Sequence, residues 1–127
     1  MLTHVNPSSG VPLYLQIESQ FKYAIASGGL KLGDALPSVR KLAAELRINP
    51  NTVARAYQDL EREGIIRTVP GGGTYVADST PGLLKSEKLR RLRPSTLQLA
   101  VEGIQLRLEP EEIITLLKEE LSKLVGE

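Results

Sequence analysis

Residues 38–64 read SVRKLAAELRINPNTVARAYQDLEREG and carry the signals of two short helices joined by a tight turn. Ser38 is a typical N-cap residue, and it precedes an apolar helical face over residues 42–46. Asn49 predicts a second N-cap, with Pro50 in the first helical position, where its fixed φ fits. Because only three residues separate the two helices, the stretch predicts a helix-turn-helix.

The sequence on either side extends this unit. Upstream, Pro12 predicts the start of another helix, and residues 31–36 contain a Gly-Asp pair that predicts a turn. Downstream, β-prone runs at 65–69 and 74–77 surround a proline and three glycines and predict a small hairpin. The predicted fold is therefore a mainly α winged helix-turn-helix. Its core is predicted from apolar residues of the first and third helices, namely Leu13, Ile17, Phe21, Ala24, Ile25, Val53, Ala56, Tyr57 and Leu60.

The last fifty residues differ in character from the rest. Residues 78–127 hold 12 of the 21 leucines and no aromatic residue. They predict two amphipathic helices that pack as a hairpin, with a break or kink at Pro94 that would leave residues 83–93 and 95–108 as separate pieces. The apolar surface is broader than one helix seam needs, which favours a homodimer over burial within one chain. The predicted dimerisation residues are Leu97, Val101, Ile104, Leu108, Ile114, Leu117, Leu121 and Leu124.

Three regions follow from this pattern. Residues 1–10 are predicted to be a flexible leader, because their turn-forming residues show no periodicity. Residues 11–77 form the predicted winged helix-turn-helix domain, and residues 78–127 the helical dimerisation region. The first 77 residues carry a net charge of +2 and the remainder −1. This polarity has the sign expected if the first part binds a polyanion.

Composition excludes several classes of protein. The chain has 127 residues, 41% of them hydrophobic and 24% charged, as in ordinary globular domains. It has no cysteine and a single histidine, His4, so we expect no cofactor and no metal site. Its carboxylates fall mainly on predicted helix surfaces and no activated nucleophile is visible, so we expect no enzyme activity. No apolar run is long enough to span a membrane, and we expect a cytoplasmic protein without a membrane partner.

The outer face of the third helix is the first candidate site. With Val53 pointing inward and about 100° per residue, four residues fall on the opposite side, with Thr52 at its flank. They are Asn51, Arg55, Gln58 and Arg62. Asn and Gln side chains can pair with adenine and Arg with guanine in the major groove. The alternative is an ordinary solvated helix face. The tight turn before this helix and the hairpin after it favour DNA binding.

Further candidates lie at the start of the second helix and in the hairpin turn. Arg40 follows the Ser38 cap, where free backbone N–H groups and a guanidinium favour a phosphate or a nearby base. Either residue also fits a purely structural role, Ser38 as a cap and Arg40 as a surface cation. Residues 71–73 are glycines that would let the backbone approach DNA closely, or that serve only the turn.

Several short motifs follow one another along residues 36–76 in a fixed order. They are Leu36-Pro37-Ser38-Val39-Arg40-Lys41-Leu42-Ala43, Asn49-Pro50-Asn51-Thr52-Val53, Arg55-Ala56-Tyr57, Leu60-Glu61, Glu63-Gly64 and Gly71-Gly72-Gly73-Thr74-Tyr75-Val76. In this respect the chain resembles the GntR family of bacterial transcription regulators over residues 11–77. Its short two-helix tail resembles that of the YtrA subfamily.

The resemblance implies a homodimeric repressor that binds an inverted-repeat operator in double-stranded DNA. It places Arg40, Asn51, Thr52 and Arg55 on the DNA. It also implies that the wing glycines Gly72 and Gly73 lie at the minor groove. Many members carry a basic residue where Ala54 stands here, which implies that readout from this position is limited to an apolar contact. Many also carry basic residues where Pro70 and Gly72 stand, which implies a weaker electrostatic contribution from the wing.

The predicted DNA-binding residues are Ser38, Arg40, Asn49, Asn51, Thr52, Arg55, Gln58, Gly72 and Gly73. A winged-helix module that binds another protein rather than specific DNA is the alternative function. Salt-sensitive binding to DNA fragments separates the two, because phosphate neutralisation makes DNA affinity fall with salt. The sequence identifies neither the operator nor a small-molecule effector.

Overall fold

The computed structural model describes residues 4–78 and 80–126 and divides the chain into two compact units, Met1–Ser79 and Thr80–Glu127. The first unit has the predicted order of helix, helix, tight turn, helix and hairpin. Its elements are α1 (Leu13–Ala26), β1 (Ala35–Leu36), α2 (Val39–Leu46), α3 (Pro50–Arg62), β2 (Ile66–Val69) and β3 (Gly73–Val76). The second unit consists of α4 (Lys85–Gln105) and α5 (Pro110–Val125). The mainly α architecture is confirmed.

The core of the first unit forms where α1, α2 and the sheet pack around α3. All four core residues predicted on α3 are buried. On α1, Ile17 and Phe21 are fully buried, whereas Leu13, Ala24 and Ile25 are half-buried. The rings of Phe21 and Tyr57 meet edge to face, with centroids 5.8 Å apart. This geometry suits the quadrupoles of two aromatic rings and joins α1 to α3.

The sheet has three strands rather than the two of the predicted hairpin. β1 pairs with β3 in antiparallel register, Ala35 opposite Tyr75 and Leu36 opposite Thr74. The turn predicted at Gly33-Asp34 is present, with the Asp34 N–H donating to the Lys31 carbonyl at 3.0 Å, but the strand that follows it was not predicted. A two-residue strand is too short to show an alternating pattern, and its extended conformation comes from pairing with a partner about 40 residues away. β1 leads directly into the N-terminus of α2.

The residues before α1 make ordered contacts that the sequence does not indicate. The Gln16 side chain donates hydrogen bonds of 2.8 Å to the carbonyls of Asn6 and Val11, and its Oε1 accepts one from the Asn6 N–H. Val5 packs against the core cluster. Residues 1–3 of the predicted leader lie outside the described residues.

Helix α4 continues through Pro94, so the predicted division at this residue does not occur. Proline removes one backbone donor and leaves the carbonyl of Arg90 without its helical partner. Both residues are exposed, so water can satisfy that carbonyl. The Thr96 hydroxyl also donates to the Leu92 carbonyl at 3.2 Å, on the next turn. The solvated position makes an interior proline tolerable here.

The second unit is a helical hairpin. α4 reaches α5 at Gly103, which is buried and where an added Cβ would overlap the Ile113 side chain. The connection uses Arg107 in the left-handed conformation, with φ of 59°. A capping box between Glu109 and Glu112 then opens α5. The small residue therefore sets how closely the two helices approach.

The hairpin leaves most of the predicted dimerisation face uncovered. Leu108 and Leu124 are half-buried. The other six side chains are between 47% and 71% exposed, namely Leu97, Val101, Ile104, Ile114, Leu117 and Leu121. Within residues 4–78 and 80–126, no helix has the length and hydropathy needed to cross a membrane.

Candidate nucleic-acid interface

The turn between α2 and α3 sets the direction of α3. Arg47 ends α2 in the left-handed conformation, with φ of 58°, and the Ile48 N–H donates back to the Ala43 carbonyl at 3.0 Å. Asn49 then caps α3, its Oδ1 accepting from the Asn51 N–H at 2.8 Å. The predicted caps and the three-residue turn are confirmed. They hold the two helices in a defined orientation.

A buried tyrosine adds a second link between these helices. The Tyr57 hydroxyl donates to the Pro37 carbonyl at 2.6 Å, immediately before the α2 cap. Burial raises the pKa of this hydroxyl above its usual range, and the negative charge of Glu45 adds to the effect. Sequence reasoning placed Tyr57 in the core but missed this bond. The available signal was that a buried phenol needs a polar partner.

The outer face of α3 presents the predicted polar side chains. Asn51, Arg55 and Gln58 are exposed, and Thr52 is half-buried at the flank. They lie opposite Val53, which is fully buried. The amides and the guanidinium are of the types that can hydrogen-bond to base edges. Their roles on DNA stay a prediction.

The guanidinium of Arg55 lies over an aromatic ring. Its Cζ is 3.8 Å from the ring centroid of Tyr14, in the first turn of α1. Within the described part of the chain, Arg55 has no hydrogen bond and no ion pair. Tyr14 was not among the predicted site residues, because nothing in the local pattern links it to a helix 40 residues away.

A carboxylate at the shoulder of this face is neutralised within the fold. Asp59 forms an ion pair with Arg62, with 2.7 Å between the Asp59 Oδ1 and the Arg62 Nη2. The pKa of Asp59 is lowered, mainly by its hydrogen bond with Glu18 and to a smaller extent by its hydrogen bond with Arg62. Glu18 itself is buried, and burial together with hydrogen bonding to Asp59 raises its pKa to about 7. Arg62, predicted on the outer face, is thus engaged by a neighbouring carboxylate.

The N-terminus of α2 presents the second candidate group. Ser38 caps the helix, its Oγ accepting from the Lys41 N–H at 3.1 Å. Arg40 and Lys41 are both exposed. A helix N-terminus with two exposed cations favours an anion such as a DNA phosphate. The Ser38 hydroxyl keeps its proton available as a donor.

The wing turn requires glycine for its own geometry. Gly71 and Gly73 have φ of 71° and 99°, values that L side chains rarely adopt. An added Cβ at Gly72 would lie 2.9 Å from Cγ1 of Val69, and the Gly72 carbonyl accepts a hydrogen bond from the Tyr75 hydroxyl. All three glycines therefore have a structural reason, and contact of Gly72 and Gly73 with DNA stays a prediction.

The wing also carries a cation that sequence reasoning missed. Arg67 on β2 is exposed and lies opposite Tyr75 on β3, with its guanidinium 5.6 Å from the ring centroid. The alternation along β2 was the available signal, because Ile66 is buried and Arg67 points to the other side.

The winged helix-turn-helix of this chain matches a known protein family. Residues 13–76, half of the chain, match the family model "Bacterial regulatory proteins, gntR family". The chain belongs to the GntR family. Members of this family are transcriptional regulators with a DNA-binding winged helix, which confirms the predictions of a regulator and of a protein that is not an enzyme.

Similarity to individual proteins extends into the tail. The HTH-type transcriptional repressor YtrA of Bacillus subtilis (strain 168) is 39% identical over 118 residues, which cover 93% of this chain and 91% of YtrA. The crystal structure of a transcriptional antiterminator from Listeria monocytogenes EGD-e is 35% identical, with a TM-score of 0.84, covering 100% of this chain and 94% of that one. The predicted likeness to YtrA is confirmed.

Another similar solved structure contains DNA. The DNA-binding domain of AraR in complex with operator ORX1 is 28% identical, with a TM-score of 0.54, and covers 60% of this chain and 96% of that domain. It shows an operator bound by a domain of this fold.

Proposed function

We propose that this GntR-family protein is a repressor that binds an inverted-repeat operator as a homodimer, with α3 in the major groove. The observation that carries the proposal is the outer face of α3. There, Asn51, Arg55 and Gln58 are exposed on a helix held by its Asn49 cap and by the Tyr57–Pro37 hydrogen bond. Side chains that read bases must be presented on a rigid element, because bidentate pairing tolerates little displacement.

The remaining candidates divide into base contacts and phosphate contacts. Asn51, Arg55 and Gln58 are assigned to base edges, with Thr52 at the flank. Positioning on phosphates is assigned to the N-termini of α2 and α3 and to the wing, because backbone N–H groups, cations and closely approaching glycines suit this role. The residues in this second group are Ser38, Arg40, Asn49, Gly72 and Gly73, and we add Arg67.

The open apolar face of the tail supports the homodimer. Six leucine, isoleucine and valine side chains on α4 and α5 are about half exposed or more. Contiguous apolar surface of this kind marks a protein interface. A two-fold dimer would place two copies of α3 on half-sites about one helical turn, or a multiple of it, apart. The matching symmetry of protein and DNA implies an inverted repeat.

Repression is proposed because the similar YtrA protein is named a repressor. Occupancy of an operator by the dimer would exclude other proteins from the same DNA. A regulator of this kind acts on the bacterial chromosome and hence in the cytoplasm. We assign no effector.

The test begins with selection of bound fragments from a random DNA pool, followed by titration of the selected duplex with wild type, Arg55→Ala and Arg62→Ala. We expect an inverted repeat, and a loss of roughly 10- to 100-fold in specific affinity for Arg55→Ala, the size of one bidentate base contact. Arg62→Ala, made together with Asp59→Asn so that the freed carboxylate cannot pair with Arg55, is the matched control and should lose much less affinity.

Two outcomes would overturn the proposal. Failure to select any sequence, together with binding that does not change with salt, would indicate the protein-interaction module instead. Selection of a single unrepeated site by a monomer would overturn the dimer and the inverted repeat while leaving DNA binding intact. Sedimentation of the protein alone distinguishes monomer from dimer.

A further inference from the structure

The stacked pair Tyr14 and Arg55 joins α1 to the centre of the proposed DNA-reading face. Tyr14 lies in the first turn of α1 and is half-buried. The guanidinium of Arg55 lies 3.8 Å from the centroid of its ring, well inside the range of a cation–π contact. α1 itself contributes none of the predicted DNA contacts. Its role at this face is therefore to support another side chain.

An arginine that stacks on an aromatic ring makes the contact through its planar face, which keeps the N–H groups on its edge available. Guanine is read by two N–H groups on that edge, which donate to O6 and N7. Within the described residues, the edge of Arg55 has no hydrogen-bond acceptor. The ring thus restricts the long, flexible side chain without using the donors that would pair with a base.

The neighbouring carboxylate makes no hydrogen bond or ion pair with Arg55 within the described residues, although the charge of Arg55 helps to lower the pKa of Asp59. Asp59 lies one turn further along α3, at a spacing that often forms an ion pair. Here Asp59 is taken by Arg62 at 2.7 Å. The two arginines of α3 therefore differ in their contacts. Arg62 is paired with a carboxylate, whereas Arg55 lies over an aromatic ring and its N–H donors make no hydrogen bond within the described residues.

We propose that Tyr14 is a positioning residue for sequence discrimination, whose ring orders Arg55 for pairing with a guanine before DNA arrives. The proposal rests on the proposed function, in which Arg55 reads a base. Ordering in advance increases affinity because less side-chain freedom is lost on binding. The ring and not the hydroxyl carries the effect, because the Tyr14 hydroxyl makes no hydrogen bond within the described residues. The proposed phosphate contacts do not depend on the Tyr14 ring, so the affinity for non-specific DNA should change little when the ring is removed.

The test measures binding to the selected operator, to an operator with the guanine pair replaced, and to non-specific DNA. Tyr14→Phe, the matched control, should stay within about twofold of wild type on all three. Tyr14→Leu should lose roughly 3- to 30-fold on the operator only, the range that a cation–π contact supports. In an Arg55→Ala background, Tyr14→Leu should cause no further loss.

Three results would overturn the role of Tyr14. Tyr14→Leu could leave operator discrimination unchanged, or its loss could persist in the Arg55→Ala background, which indicates a merely structural role. Free wild-type protein could also lack an upfield ring-current shift of the Arg55 δ protons by NMR, a measurement that requires no variant to fold. If instead Arg55→Ala leaves operator affinity unchanged, the proposed function of Arg55 fails first, and the inference falls with it.

Discussion

The Tyr57 hydroxyl and the Pro37 carbonyl are joined by a hydrogen bond of 2.6 Å. It connects the middle of α3 with the residue that precedes the N-cap of α2. The tyrosine ring is buried against Phe21, so the bond lies at the junction of all three helices of the first unit. The orientation of the two helices of the helix-turn-helix thus depends on one phenol as well as on the turn.

Replacement of Tyr57 by Phe should lower the free energy of unfolding by about 1–3 kcal/mol, because the partly buried Pro37 carbonyl loses its partner. Urea denaturation measures this change. Tyr23→Phe is the matched control, since Tyr23 is 65% exposed, and it should change stability by less than about 0.5 kcal/mol. Equal effects of the two substitutions would show that the Tyr57–Pro37 bond contributes nothing to stability.

Replacement of Glu18 by Gln should stabilise the protein at high pH. The pKa of Glu18 is raised to about 7 in the fold and is about 4.5 when the chain is unfolded, so wild type loses stability as pH rises from about 4.5 to 7 and keeps that loss above pH 7. Gln cannot ionise, and Glu18→Gln should therefore exceed wild type by about 1–3 kcal/mol at pH 8.

The comparison is made by urea denaturation at pH 4.5 and pH 8. Near pH 4.5 the two proteins should differ little, because Glu18 is protonated in the folded protein. Glu45→Gln makes the same charge change at an exposed position of the same unit and serves as control. A pH-independent difference between wild type and Glu18→Gln would contradict the assigned cause.

Replacement of Gly103 by Ala should weaken the α4–α5 hairpin. In an unobstructed helix this change stabilises by about 1 kcal/mol. Here the added methyl would overlap Ile113, so we expect the opposite sign, a loss of about 1–3 kcal/mol in thermal or urea unfolding. Combination with Ile113→Val should recover part of the loss. A stabilised Gly103→Ala protein would show that the helices can separate freely at this point.

Introduction of a charge at Ile104 should prevent dimerisation, which tests the proposed interface. Ile104 is 71% exposed within the chain, so Ile104→Glu should not unfold it, but a dimer would bury the carboxylate without a partner. Sedimentation should show a monomer, with operator affinity at least about tenfold lower, because the two half-sites are no longer linked. Leu32→Glu, at an exposed apolar residue of the other unit, should leave the assembly unchanged.

Prediction from sequence succeeded where the signals are local. The caps Ser38 and Asn49, the three-residue turn and the inward face of α3 could all be assigned, because each depends on residues within about one helical turn of one another. The outer face of α3 followed from the same periodicity. The predicted break at Pro94 rested on the local loss of a helical hydrogen bond. The exposed position of Pro94 makes that loss tolerable, and the helix continues.

The remaining features required contacts between distant residues. The pairing of β1 with β3, the bond from Tyr57 to Pro37 and the stacking of Arg55 on Tyr14 each join segments at least 20 residues apart. The sequence alone determines where the helices form and which polar residues they present, because helical periodicity and capping depend on residues only a few positions apart. Which of those side chains are free and which are held depends on packing between elements, and packing arises only once the chain has folded.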